Sequence, residues 1–298
     1  MNPGVLYAIF ACAAWGFAFI GPLIVGAWTA TAVAGGRYIA YGLWSLIALG
    51  VMRVRNGPQP FDARKWRDAT LFTLAGNLLY YTLMSESLKR SGVFLTTLII
   101  GLLPVTISTA GRLRARQPLT PAYAVALVLI VAGLFLANQP GQGAQASGDW
   151  IGLACAFGAL ALWTGYGVIN ADWLRTHPKV GGLEWSSLQG AAALPFALAL
   201  FAGSPHPPQG AAWPVFITVS LLLGVITSWA ANAAWNMAST RVPASLLGQL
   251  IVFETVAGIA YGALWSKSLP AMTVLAGAAL LIVGVIIAMR ERPPEITA

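Results

Sequence analysis

The chain has 298 residues, 58% of them hydrophobic and only 9% charged, with a formal net charge of +8. Its mean hydropathy is +0.74, and a soluble protein of this size could not hide so much apolar surface, so lipid must be its solvent. The positive excess therefore reads as membrane topology and contact with anionic lipid, and excludes a nucleic-acid footprint.

Ten apolar segments follow one another near 4–26, 32–52, 69–88, 93–111, 120–138, 149–171, 184–203, 213–237, 244–264 and 271–289. Each is about 20 residues, the length an α-helix needs to cross roughly 30 Å of hydrocarbon. Short segments of alternating polarity, the mark of a β-barrel, do not appear. The expectation is an all-α polytopic membrane protein with no soluble domain attached, 1–298 forming a single membrane domain.

Charge placement orients the chain. With the N-terminus inside, thirteen Lys and Arg fall on the cytoplasmic side (Arg53, Arg55, Arg64, Lys65, Arg67, Arg112, Arg114, Arg116, Arg175, Lys179, Arg241, Arg290 and Arg292) and three on the other (Lys89, Arg90 and Lys267). Arg37 is left within a span. The positive-inside rule then places both termini in the cytoplasm. No basic region precedes the first span, so it reads as a retained helix and not a signal peptide. The polar run Asn138–Asp149, rich in Gln and Gly, reads as an exposed linker between spans 5 and 6.

That linker divides two similar halves, 4–138 and 149–289, each with five spans. Trp15 matches Trp163, Trp66 roughly matches Trp213, and Arg90 matches Arg241. Five is odd, so the second half must enter the membrane the opposite way up. Inverted repeats of this kind supply two similar bundles able to exchange roles on the two sides of a bilayer.

In span 1, Trp15 lies near mid-membrane with Phe19 four residues on; span 6 repeats this with Trp163 and Tyr166. Lipid-facing Trp gathers at the interfaces, so central indoles point to packing or to a ligand. Cys12 and Cys155 lie in apolar helices without His nearby and read as packed thiols. His177 and His206 sit beside prolines in loops, and neither a zinc nor a haem site is supported. No cofactor is expected.

Spans 3 and 8 carry the polar stripe. The offset from Arg90 to Arg241, 241 − 90 = 151, pairs Asn77 with Ser228, Tyr81 with Asn232 and Ser85 with Asn236. Within each helix these recur at i, i+4 and i+8, on one face. Amides and hydroxyls facing lipid cost free energy, so the face points inward. Either it holds helices together by hydrogen bonds, or it lines a wet cavity and contacts a solute; repetition in both halves favours the cavity. Tyr80, Trp229 and Trp235 extend the aromatic supply, suiting a ligand with a ring and polar ends, or an organic cation.

Glu254 is the carboxylate nearest the bilayer centre, and its counterpart in span 4 is Pro104. A lone charge there must face a cavity, take a partner or stay protonated. Proton carriage, attraction of a cationic group and a structural hydrogen bond all remain open for it. Gln249, five residues earlier, lies about 140° away on an ideal helix, so sharing a cavity with Glu254 requires a break in span 9. Arg37 and Glu86 belong near the outer ends of spans 2 and 3. An ion pair between them, or Glu86 with Arg90 at i+4, is preferred to substrate contact. Pro22, Pro104 and Pro195 predict kinks, and Pro104, opposite Glu254 in the repeat, is the foremost hinge candidate.

Two five-helix inverted repeats, paired mid-helix Trp residues, the Arg of span 2 and the pairing of Pro104-Val105 with Glu254-Thr255-Val256 resemble the EamA-type drug/metabolite transporters over essentially the whole chain. Thr255 stands where that family often has proline, so a proline hinge in span 9 does not carry over. The stretches NLLYYTLMSESLKRSG and SWAANAAWNMASTRVPASLLGQLIVFET resemble most the YddG-type aromatic amino-acid exporters. The resemblance implies export of aromatic and other neutral amino acids across a bacterial inner membrane, with tolerance of aromatic cations such as methyl viologen. It also implies a central cavity between spans 1, 3, 4, 6, 8 and 9, alternating access and a bundle that functions as a monomer. Substrate contacts are then expected from Trp15, Phe19, Asn77, Tyr80, Tyr81, Trp163, Tyr166, Ser228, Asn232 and Gln249, with coupling or gating by Glu254 and Pro104. The alternatives are a broad drug or metabolite exporter and a passive channel. An enzyme is disfavoured because no acid–base pair or nucleophile with its base is assembled within the spans.

Overall fold

The structure, a computed structural model, describes residues 2–26, 28–57, 62–137, 150–205, 210, 212–267 and 269–290, without the side chains of residues 19, 22, 23, 30, 85, 88, 89, 91–95, 97, 98, 137, 266, 289 and 290. The expected linker 138–149, His206 and Arg292 therefore lie outside the described residues.

Among the described residues the chain is helical and contains no strand. Helix 1 runs through Pro3–Gly16, a 3₁₀ turn Phe17–Phe19 and Gly21–Val25; helix 2 is Ala30–Asn56. Helix 3 comprises Ala63–Thr73, a π-helical stretch Leu74–Leu79 and the first part of Tyr80–Ile100; helix 4 takes the remainder and Leu103–Arg114. Helices 5, 6 and 7 are Pro121–Ala137, Trp150–Thr176 and Gly182–Ala202. Helix 8 comprises Trp213–Leu221, π-helical Leu222–Ala230 and Ala231–Ser239; helix 9 is Ala244–Leu250 plus Val252–Ser266, and helix 10 is Met272–Arg290.

The helical backbone continues through Arg90, yet the chain reverses there. Ser87 Oγ and Thr96 Oγ1 are 2.7 Å apart, whereas nine residues of straight helix would separate them by about 13 Å. Helices 3 and 4 thus meet in a tight turn at the expected boundary. Among the described residues five helices are long and apolar enough to cross a membrane, and Pro3–Gly16, Pro121–Leu136 and Met272–Ala288 are shorter apolar helices. The outer surface presents Leu43, Ile47, Val128, Phe157, Ile217 and Leu264, as a lipid-facing wall requires.

One end of the bundle collects the basic residues. Arg114 pairs with Asp172, Arg175 Nη2 donates to the Val242 carbonyl at 2.9 Å, and Lys65 reaches Glu184 at 3.0 Å. Gly4 packs against Arg241 and Val242 at the same end. Helix 1 begins there and helix 6 finishes there, so the two five-helix repeats run in opposite directions.

The offset of 151 recurs in the packing. Helix 5 lies against helix 10 and helix 4 against helix 9, and Gly133 and Gly284 (284 − 133 = 151) each abut the backbone of the opposite helix. The π-helical stretches share it too, since Leu79 and Ala230 end them 151 residues apart. In each, a carbonyl takes a hydroxyl from the preceding helix: Asn77 O from Tyr38 at 3.2 Å, and Trp229 O from Ser186 at 2.9 Å. A π turn loosens the regular ladder, and these hydroxyls occupy the carbonyls it leaves accessible.

Helices 4 and 9 are both interrupted, at residues 101–102 and at Ile251. Pro104 lies in the first turn of the second piece of helix 4, where a missing N–H costs nothing. It starts a helix and does not kink one. Helix 9 breaks without any proline.

Candidate functional site

A cavity of about 660 Å³, counting its open mouth, lies where helices 1, 2, 3, 4, 6, 8 and 9 converge. Trp15, Asn77, Tyr80, Tyr81, Trp163, Tyr166, Asn232 and Glu254, all expected from the sequence, line it. Arg37, Tyr38, Gly76 and Met84 complete its polar and flexible walls, with Ala18 and Leu103 filling the rest.

Its floor is aromatic. Trp15 and Trp163 meet edge to face at 5.4 Å and 88°, and both rest on the buried ring of Trp235, 5.2 and 5.8 Å away. Tyr80 and Tyr166 flank Trp163 at 6.1 and 5.8 Å. Edge-to-face contacts of this kind add about 0.5–1.5 kcal/mol per pair beyond area burial, so the indoles are held in place before any ligand arrives. Gly76 has no side chain because Tyr166 occupies the space: a Cβ there would lie 2.3 Å from the ring.

The other walls are polar. Arg37 Nε donates to Ser228 Oγ at 2.8 Å, and its guanidinium stands 5.4 Å from the ring centres of both Tyr38 and Tyr81. Asn77 Nδ2 donates to Thr73 Oγ1 at 3.2 Å, and the residue lines the cavity. Glu254 sits in the first turn after the break in helix 9. That interruption is what turns it inward.

Three of the expected site residues fall elsewhere. Ser228 is fully buried behind the wall, where it serves Arg37. Gln249 does not share the cavity with Glu254 despite the break between them; its Nε2 donates to Ser108 Oγ at 2.9 Å, tying helix 9 to helix 4. Pro104 is buried beside the lining residue Leu103 and is not itself part of the surface. The side chain of Phe19 lies outside the described residues.

Arg37 and Tyr38 are the polar cavity residues that sequence reasoning left out of the site. Glu86 takes Arg90, Nε to Oε1 at 2.7 Å, so Arg37 is not its partner. The available signal was position: an ionisable side chain left inside a span is a functional candidate by default.

Asn236 also leaves the expected stripe. It accepts from Asn170 Nδ2 at 2.9 Å, while Asn170 Oδ1 accepts from Trp185 Nε1 at 2.7 Å and from Gln189 Nε2 at 3.2 Å. Gln189 Oε1 in turn accepts from the Tyr166 hydroxyl at 3.1 Å. This buried amide network holds a cavity tyrosine from behind. Asn170→Ala strands several buried donors and acceptors, at about 1–3 kcal/mol each. A marked fall in the thermal unfolding temperature in detergent is expected, and an unchanged temperature would show that the network bears no strain-free packing load.

Residues 2–139 match the EamA-like transporter family. The chain is 35% identical to the inner membrane protein YtfF of Escherichia coli (strain K12) over 315 aligned residues, covering 99% of this chain and 97% of that one. A solved structure titled only as the crystal structure of a protein superposes with a TM-score of 0.75 at 18% identity, covering 96% of each chain. That likeness concerns the fold alone, and it extends through both repeats. Sequence relationship over almost the whole length, together with the family match, places the chain: it belongs to the EamA-like transporter family, of the drug/metabolite transporter superfamily.

Proposed function

We propose that this transporter exports aromatic and other neutral amino acids across the bacterial inner membrane, by alternating access of its repeats 4–138 and 149–289. The observation that carries the reading is the cavity itself, in which a floor of Trp15, Trp163, Tyr80 and Tyr166 faces the amides of Asn77 and Asn232. A ring and a polar backbone match those two surfaces. The name of the relative YtfF supports the inner membrane as the location, and the cluster of basic residues at one end supports cytoplasmic termini. The breaks in helices 4 and 9, at residues 101–102 and Ile251, border the cavity and supply the places where two packings of the repeats exchange. The cavity lies within one chain, so a monomer suffices and no cofactor is required.

The test is uptake by liposomes holding the purified protein, across the neutral amino acids, with and without a pH gradient. Saturable flux of phenylalanine and tryptophan, blocked by unlabelled substrate, is the expected result. Saturable flux of organic cations without amino acids would move the assignment to a broad drug exporter. Unsaturable flux would make the protein a channel. If Glu254 carries a proton, Glu254→Gln abolishes gradient dependence; gradient-driven flux at the wild-type level removes that role.

A further inference from the structure

Resting on that reading, we infer that Arg37 and Glu254 form a two-ended anchor for a zwitterion, Arg37 taking the carboxylate of the substrate and Glu254 its ammonium group. Among the described residues that line the cavity, these are the charged ones. They come from different repeats, Arg37 from helix 2 and Glu254 from helix 9.

Each is held without its charge being spent. Arg37 uses Nε on Ser228 Oγ, an uncharged acceptor, at 2.8 Å. Its guanidinium carbon stands 5.4 Å from the ring centres of Tyr38 and Tyr81, and the residue lines the cavity. Glu254 is likewise in no ion pair within the 4.0 Å limit among the described residues. A buried charge is costly unless compensated, and among the described residues neither of these is in a salt bridge.

A zwitterion set between them gives each a short-range opposite charge and leaves the cavity neutral. A net cation must approach Arg37 and a net anion must approach Glu254, so each brings a like-charge repulsion that the zwitterion avoids. Discrimination by such repulsion is a sharper filter than apolar fit alone. The amides of Asn77 and Asn232 then orient the backbone between the anchors, and the indoles receive the side chain.

The experiment measures competition against labelled phenylalanine in liposomes by two analogues, phenylalaninamide, which keeps the ammonium group, and 3-phenylpropionate, which keeps the carboxylate. Both are expected to compete at least tenfold more weakly than phenylalanine with the wild type. Arg37→Gln should lower the affinity for phenylalanine at least tenfold and leave phenylalaninamide as good or better. Glu254→Gln should lower it similarly and leave 3-phenylpropionate as good or better. A folding defect weakens all three ligands together, so the switch in ligand order is the readout; equal losses for the three, or wild-type competition by phenylalaninamide equal to phenylalanine, would overturn the anchor. Arg37→Lys, which keeps the charge, should retain the wild-type order. A wild type that carries no neutral amino acid at all would instead overturn the transport reading on which the anchor stands.

Discussion

Gly248→Ala is expected to destabilise the protein more than most single methyl additions, by about 1–3 kcal/mol as overpacking does. Helices 4 and 9 cross at this residue, and a Cβ on Gly248 would lie 2.5 Å from the backbone nitrogen of Ser108 and 3.0 Å from the carbonyl carbon of Ile107. Backbone atoms cannot rotate aside as a side chain can, so the helices must separate. The same crossing is held from the other side by Gly111, whose added Cβ would lie 2.8 Å from Ser245 N. Separation also stretches the Gln249 to Ser108 bond of 2.9 Å and the Ser108 to Tyr123 contact of 2.6 Å behind it. Thermal unfolding of purified protein in detergent measures the loss. An unfolding temperature equal to the wild type would mean that the two helices are not packed backbone to backbone.

Trp163→Ala removes the ring that touches every other aromatic of the cavity floor. Its neighbours are Trp15, Trp235, Tyr80 and Tyr166, at 5.4, 5.8, 6.1 and 5.8 Å. Truncating a buried Trp costs about 3–5 kcal/mol, and here it also opens the surface proposed to receive the substrate ring. Amino-acid uptake in liposomes should fall at least tenfold, equivalent to about 1.4 kcal/mol. Trp163→Phe keeps an aromatic edge for Trp15 and should recover most of the uptake. Trp163→Ala protein that is folded and transports at the wild-type rate would reduce this indole to packing.

The candidate site was legible where a residue type was unusual for its depth in the membrane. Trp15, Trp163, Asn77, Asn232 and Glu254 were all anomalous at mid-span, and all line the cavity. Period-four reasoning held for Asn77 and Tyr81 across the π-helical stretch of helix 3 but failed for their counterparts in helix 8. Ser228 and Asn232 are four apart, yet the π-helical stretch ending at Ala230 alters the rotation between them, and Ser228 turns behind the wall while Asn232 faces in. Gln249 and Glu254 present the converse case. The break required to join them exists at Ile251, but Ser108 offers Gln249 a hydrogen bond on the neighbouring helix, and a buried amide goes where its polar atoms are satisfied.

Hydropathy alone determined that this chain lives in lipid and crosses it repeatedly as helices, because the length of a spanning helix is dictated by the thickness of hydrocarbon and not by its neighbours. An odd number of spans per repeat likewise forced the inversion. Only the tertiary structure decided the partners. Arg37 turns to Ser228 and to the cavity although Glu86 was available in sequence, since Glu86 already has Arg90 one turn away on its own helix. The rotation of each helix about its axis depends on π turns, breaks and glycine crossings, and those follow from packing against helices far away in the chain.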